Sequence, residues 1–154
     1  MRPFHHREVG PVGIVLGGKV LGGAEVTAEL IYDRLHVSPD AAALLLDRAD
    51  VALVSDGTMA TGLPDGTELT MWGLPCCVGN GAVRLADGGA LAGSTITLAD
   101  AFANTVEDFD AVRAIRAAES GRLSLGLSLT FGGWIAFDPR GRTLQRLSAT
   151  HGGA

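Results

Sequence analysis

The sequence predicts an α/β fold with a β-hairpin inserted after its second strand. Three observations carry this expectation. An extended run, a capped helix and a second, wholly apolar strand succeed one another between Ala28 and Ser55, the order of a βαβ unit. An Asn80-Gly81 pair interrupts a later extended stretch, where it supplies the positive φ values of a tight reversal. The chain has 154 residues, the length of a single domain, and its 47% apolar content suffices for a buried core.

From Ala24 to Ile31 the chain reads as a strand approach, and the first strand is expected over about Ala28 to His36. Ser38-Pro39 is a helix start: the hydroxyl caps orphan N–H groups and the proline ring presets helical φ. The helix should run from Pro39 to Arg48, with Ala41, Leu44, Leu45 and Arg48 on one stripe. Val51-Ala52-Leu53-Val54 is a continuous apolar run closing at Ser55-Asp56-Gly57, the pattern of a parallel strand buried on both faces. Glu68 to Val78 and Ala82 to Leu85 are the two arms of the hairpin, about residues 68–86. Thr97 is placed to cap a helix over Leu98 to Glu107, and a second helical pattern, Ala111 to Ala118, closes at Ser120-Gly121. The tail from Leu123 to Leu147 alternates glycine-rich and apolar segments around the turn Asp138-Pro139-Arg140-Gly141. With 22 glycines in no repeating period, many tight turns joining short elements are expected.

Charge and hydropathy exclude several classes. Twelve basic against seventeen acidic residues give a net charge of −5, which repels a phosphate backbone, so nucleic acid is not an expected partner. The longest charge-free stretches, Leu69 to Val83 and Leu123 to Phe137, are broken by glycine and fall short of the ~18 residues of a spanning helix. No membrane crossing is expected. The apolar run from Val9 to Gly18 contains four Gly and one Pro and no small-residue cleavage site comes after it, so it does not read as a leader, and a cytoplasmic location is expected. Cys76 and Cys77, being adjacent, make neither a staple nor a zinc knuckle and read as small strand hydrophobes of a reducing compartment.

Four places can carry chemistry. Asp56 ends the apolar strand, and in parallel α/β folds side chains at that edge face the pocket built by the loops beyond the strands. The same position also suits a residue that merely begins a turn. His36 occupies the equivalent place on the preceding strand, as a pocket residue or a satisfied structural histidine. In Met1 to Glu8, His5 and His6 point to opposite sides of an extended segment and do not jointly hold one metal. Arg7 beside them has the guanidinium geometry of an anion clamp, or belongs to a solvated basic terminus. Leu91-Ala92-Gly93-Ser94 is either a loop bringing backbone to a ligand or a turn before the next helix.

Taken together, HHREVGPVG at His5 to Gly13, AELIYDRLHVSP at Ala28 to Pro39, ALVSDGTMATGLPDG at Ala52 to Gly66 and LAGSTITLADAFANTVE at Leu91 to Glu107 resemble one family. It is the N-acetylglucosamine-6-phosphate deacetylases of the amidohydrolase superfamily, and the segments keep the family's order. The resemblance implies the last part of a (β/α)8 TIM-type barrel over residues 1–120, and a remnant of a small β-domain over 121–154. It implies metal-assisted hydrolysis of N-acetylglucosamine 6-phosphate to glucosamine 6-phosphate and acetate, with a zinc or iron cofactor. Asp56 matches the aspartate that takes a proton from the attacking water and passes it to the leaving amine. His36 matches a substrate-contacting histidine, Leu91 falls in a substrate-binding segment, and Arg7 matches the arginine that binds the 6-phosphate, often across the interface of a homo-oligomer.

Two departures qualify the resemblance. A complete barrel needs ~250 residues, and the family's main metal ligands fall before the position of Met1, leaving Asp56 as the one candidate ligand. The isolated chain is therefore expected to be inactive and to hold little metal. After Glu107, Arg113 to Arg122 lacks the family's Asn-Pro-Ala segment, and Gly132 to Asp138 reads as a shortened version of the family's glycine-rich turn and closing strand. The alternatives to the enzyme reading are a non-catalytic module that binds sugar phosphate through Arg7 and His36, and a decayed fragment.

Overall fold

A computed structural model describes residues 7–17, 23, 26–127 and 134–147. The readings of His5 and His6 lie outside the described residues. The βαβ unit is present. Strand β1 (Thr27–Ile31), helix α2 (Pro39–Arg48) and strand β2 (Asp50–Val54) come in that order, preceded by helix α1 (Gly10–Leu16), and β1 pairs with β2 in parallel, Thr27 opposite Asp50 through Ile31 opposite Val54. The sequence reading missed α1; Pro11 in its first turn presets the helical φ that the surrounding glycines leave open.

β1 stops five residues before the expected His36. Asp33 ends it: its Oδ1 accepts from the Leu35 and His36 backbone N–H groups at 2.9 and 2.8 Å, which turns the chain, and Arg34 takes a left-handed φ of 66°. α2 begins as expected, with the Ser38 hydroxyl accepting from the Ala41 N–H. Its buried stripe is shifted by one residue from the expected one. Ala42, Leu45, Leu46 and Ala49 face the core, whereas Ala41, Leu44 and Arg48 are exposed.

The inserted hairpin is a larger unit than the sequence suggested. The run Glu68 to Val78 is itself two strands, β3 (Glu68–Met71) and β4 (Leu74–Gly79), reversing at Trp72-Gly73. β5 (Ala82–Leu85) and β6 (Leu91–Ser94) complete a four-stranded antiparallel meander in the order β3-β4-β5-β6. The expected end near residue 86 is therefore corrected to Ser94, and Leu91 to Ser94 is a strand rather than a loop or a turn.

Helix α3 (Leu98–Asp108) opens on a capping box: Thr97 accepts from the Asp100 N–H while the Asp100 carboxylate accepts from the Thr97 N–H at 2.9 Å. Thr97→Ala is expected to lower stability by about 1 kcal/mol, read as a shifted urea midpoint at unchanged slope. Helix α4 (Ala111–Ser124) starts on the Asp110 cap and continues past the expected stop at Ser120-Gly121. A Cβ on Gly121 would make an ordinary contact, 3.7 Å from that of Ala52, so this glycine lies on the face that α4 packs against β2 rather than at a helix end. The tail forms the hairpin of β7 (Trp134–Asp138) and β8 (Thr143–Leu147) around the expected turn.

Two apolar clusters result. Leu30, Tyr32, Ala42, Val51, Leu53, Ala101 and Ala117 unite β1, β2 and the helices. Ala60, Met71, Cys76, Val78 and Val83 form the second, inside the meander, so Cys76 is a buried strand residue as read. Among the described residues no helix is long and apolar enough to cross a membrane.

Candidate functional site

The parallel strands β1 and β2 run side by side, so their carboxyl ends deliver the segments 33–36 and 55–58 to the same edge. There His36, Asp56 and Leu91 line one open cleft of about 530 Å³, together with Gly57, Thr58, Met59, Thr70, Met71, Trp72, Ala92 and Gly93. Three residues singled out from separate stretches of sequence thus meet. Arg7 is described and exposed but is not part of this lining.

His36 is held by a residue the sequence reading passed over. The Asp33 side chain is wholly buried and its Oδ2 lies 2.7 Å from His36 Nδ1, while its other oxygen takes the two backbone N–H groups of the turn. Burial pushes the Asp33 carboxyl up, but the bonds from the His36 and Leu35 N–H groups and from the imidazole outweigh it and hold it below the usual carboxylate range. An ionised carboxylate only accepts, so Nδ1 carries the hydrogen of this bond and Nε2 is the ring atom left for a ligand. The signal was readable in DRLH itself: an Asp two and three residues ahead of N–H groups it can cap.

A second network supports the turn from behind. The Tyr32 hydroxyl donates to Asp108 at 2.7 Å, and Arg34 reaches Asp108 through Nε at 2.6 Å and Glu107 at 2.9 Å. Arg142, in the β7–β8 turn, bonds Glu107 and Asn104, and the Asn104 amide donates to the Tyr32 carbonyl at 3.0 Å. Phe102 meets Phe137 edge-on at 5.2 Å, so the hairpin docks on α3 by apolar and ionic contacts together. The Arg34 guanidinium holds Asp108 below its ordinary pKa, and burial beside that carboxylate pushes the Tyr32 phenol up.

Asp56 differs from both. It is exposed, sits at a left-handed φ of 46°, and its carboxylate takes no hydrogen bond from the described residues. Its backbone is fixed, because its carbonyl accepts from the Ser94 N–H at 3.3 Å beside a parallel bridge between Gly57 and Ser94. Gly93 completes the floor: at φ 117°, a Cβ there would stand 2.5 Å from the Thr58 methyl. The site therefore offers one carboxylate without a partner among the described residues and one oriented imidazole.

Metal donors are another matter. Among the described residues no three His, Cys, Asp or Glu side chains converge to hold an ion, and His36 Nε2 alone is one donor. The described residues do not fit a resident metal, which takes three protein ligands at a hydrolytic site. A second cleft of about 500 Å³ opens at the far ends of the strands, where Arg113 pairs with Asp47 and Asp110 and the Ser120 hydroxyl bonds Asp50; none of the cleft-edge residues above reaches it.

No family model matches the sequence. It is 40% identical over 109 residues to an N-acetylgalactosamine-6-phosphate deacetylase of Escherichia coli, covering 70% of this chain and 27% of that one. It is 35% identical over 142 residues to an N-acetylglucosamine-6-phosphate deacetylase of Lysinibacillus sphaericus, covering 86% and 35%. The chain spans 61% of a shorter Escherichia coli homologue, so in each case it matches only part of the relative. Its fold is similar to an N-acetylglucosamine-6-phosphate deacetylase of Thermotoga maritima, with TM-score 0.69 and 31% identity over 81% of this chain and 34% of that one. A Mycobacterium smegmatis variant in complex with N-acetyl-D-glucosamine-6-phosphate matches at TM-score 0.70 and 30% identity, over 82% and 34%. In sequence and in fold, the chain is a partial-length homologue of the N-acetylglucosamine- and N-acetylgalactosamine-6-phosphate deacetylases.

Proposed function

We propose that this chain supplies the substrate-binding and proton-transfer side of an N-acetylhexosamine-6-phosphate deacetylase, built as the last part of a (β/α)8 barrel over residues 1–120 with a small β-domain remnant beyond. The observation that supports it most is the convergence of the unpartnered Asp56 and the Asp33-braced His36 on one cleft at the carboxyl edge of parallel strands. Amide hydrolysis forms a bond from water oxygen to the acetyl carbon and breaks the carbon–nitrogen bond. Asp56 accepts the water's proton and returns it to the departing amine, which leaves as glucosamine 6-phosphate or its galacto counterpart beside acetate. His36 Nε2 meets a polar group of the sugar, and Leu91 in β6 lines the same cleft.

Arg7 serves the 6-phosphate from outside this cleft, as a residue reaching across a homo-oligomer would. A zinc or iron ion belongs to this chemistry by family, and its main donors are not among the described residues; the steps above involve this chain's own side chains alone. The competing reading, a sugar-phosphate module without catalysis, shares the binding residues and differs at Asp56.

The test is a titration of the chain with N-acetylglucosamine 6-phosphate monitored by two-dimensional NMR. Resonances of His36, Gly57 and Leu91 are expected to move while those of Ser120 and Arg113 stay. His36→Ala is expected to weaken binding about tenfold, in line with ~1.4 kcal/mol for a hydrogen bond to a charged or oriented partner, and Arg7→Ala to remove the preference for the phosphorylated sugar. Shifts centred on Arg113, or an affinity indifferent to both changes, would overturn the proposal.

A further inference from the structure

The two tight reversals of the meander use the same backbone with different chemistry. Trp72-Gly73 and Asn80-Gly81 both have positive φ at each central residue, 52° and 79° in the first and 52° and 76° in the second. Asn-Gly is the pair such a turn selects, because asparagine tolerates the left-handed region. Tryptophan is bulky and does not favour it, so the turn's backbone gives no reason for Trp72. Packing gives none either, since Trp72 is 77% exposed while its neighbour Met71 is buried in the meander cluster.

Trp72 does line the cleft that holds His36 and Asp56, and Met59, 70% exposed, lines it too. A large apolar ring is thus displayed on a positive-φ turn lining a cleft that also holds a carboxylate and an imidazole. Displayed strain of this kind concentrates at ligand clamps, and an indole face covers the C–H face of a pyranose while leaving its hydroxyls free. We propose that Trp72 is the platform for the sugar ring, a specificity-determining residue that takes the apolar face of an aminohexose while Asp56 and His36 address its polar edge. This rests on the function proposed above and adds to it the orientation of the ring and a preference for cyclic over open-chain phosphates.

The 154-residue chain carrying Trp134→Phe leaves Trp72 as its one indole, so its fluorescence reports on this residue alone. Addition of N-acetylglucosamine 6-phosphate is expected to change that emission saturably, whereas inorganic phosphate leaves it unchanged. Trp72→Gly should weaken sugar-phosphate affinity about tenfold, Trp72→Phe less than about threefold, as expected for loss or thinning of a ring contact. Trp72→Gly should melt at the same or a higher temperature, because glycine relaxes the turn. Equal sugar-phosphate affinity for Trp72→Gly, with His36→Ala still weakened, would overturn the platform and leave the proposed function standing. So would concentration-dependent association abolished by Trp72→Gly with sugar affinity unmoved, which would make the ring a contact between copies. No sugar-phosphate binding by the unaltered chain would remove the proposed function and the platform with it.

Discussion

An Asp33→Ala chain is expected to lose about 2 to 4 kcal/mol of unfolding free energy, the order expected when buried donors are left without their charged acceptor. The magnitude reflects the groups this carboxylate holds: two backbone N–H groups and the His36 imidazole around a side chain with no solvent exposure. Asp33→Asn keeps the shape and one acceptor oxygen, so it should fall between. The pH dependence has a defined sign. Asp33 and Asp108 both have carboxyl pKa values below their ordinary range, so the unfolded chain binds protons first as acid is added. Their stabilisation is fully present above about pH 4, the unfolded carboxylate value, and is lost as pH falls through the folded values. Urea midpoints measured from neutral pH into the acid range should decline for the unaltered chain, and more shallowly for Asp33→Asn. A flat, coincident pair of curves would contradict the assignment.

Under the proposed function, Asp56→Asn in a form of the protein that releases acetate is expected to lower turnover by about 10²- to 10⁴-fold, the range for losing a positioned general acid–base. The amide preserves size and cannot take the proton. Because the Asp56 carboxylate has no described partner, the variant should melt within about two degrees of the unaltered chain, and substrate affinity should change far less than turnover. Near-normal acetate release by the variant would assign the proton to another group.

What the sequence made legible was what acts locally. Ser38-Pro39 and Thr97 with Asp100 set helix starts through their own hydroxyls, ring and carboxylate, and both helices begin where those residues place them. The apolar run after Asp50 announced a strand buried on both faces because no polar residue interrupts it. The errors came from contacts at a distance or from chemistry against type. Gly121 read as a stop because nothing in the sequence reveals Ala52 beneath it, and Trp72-Gly73 escaped as a turn because tryptophan is not a turn residue. Asp56, His36 and Leu91 were found one by one; the geometry that unites them lies in the parallel pairing of β1 and β2 and in the bridge from Gly57 to Ser94. Asp33 was overlooked because it looked like the continuation of a strand, and the bonds that bend the chain there are the same ones that aim the histidine.

The separation of the apolar residues into two clusters bears on how the molecule breathes. Each cluster is expected to open as its own cooperative unit, one comprising the parallel pair with its helices and the other the meander. His36 follows β1 of the first unit, Trp72 and Leu91 lie in the meander of the second, and Asp56 lies between β2 and β3. A ligand seated in the cleft would touch all three at once. It would then raise the protection of amides in both units together, including those remote from it, by the free energy of its own binding. Amide exchange in the Val78 and Leu53 strands should therefore slow by the same factor when the cleft is filled.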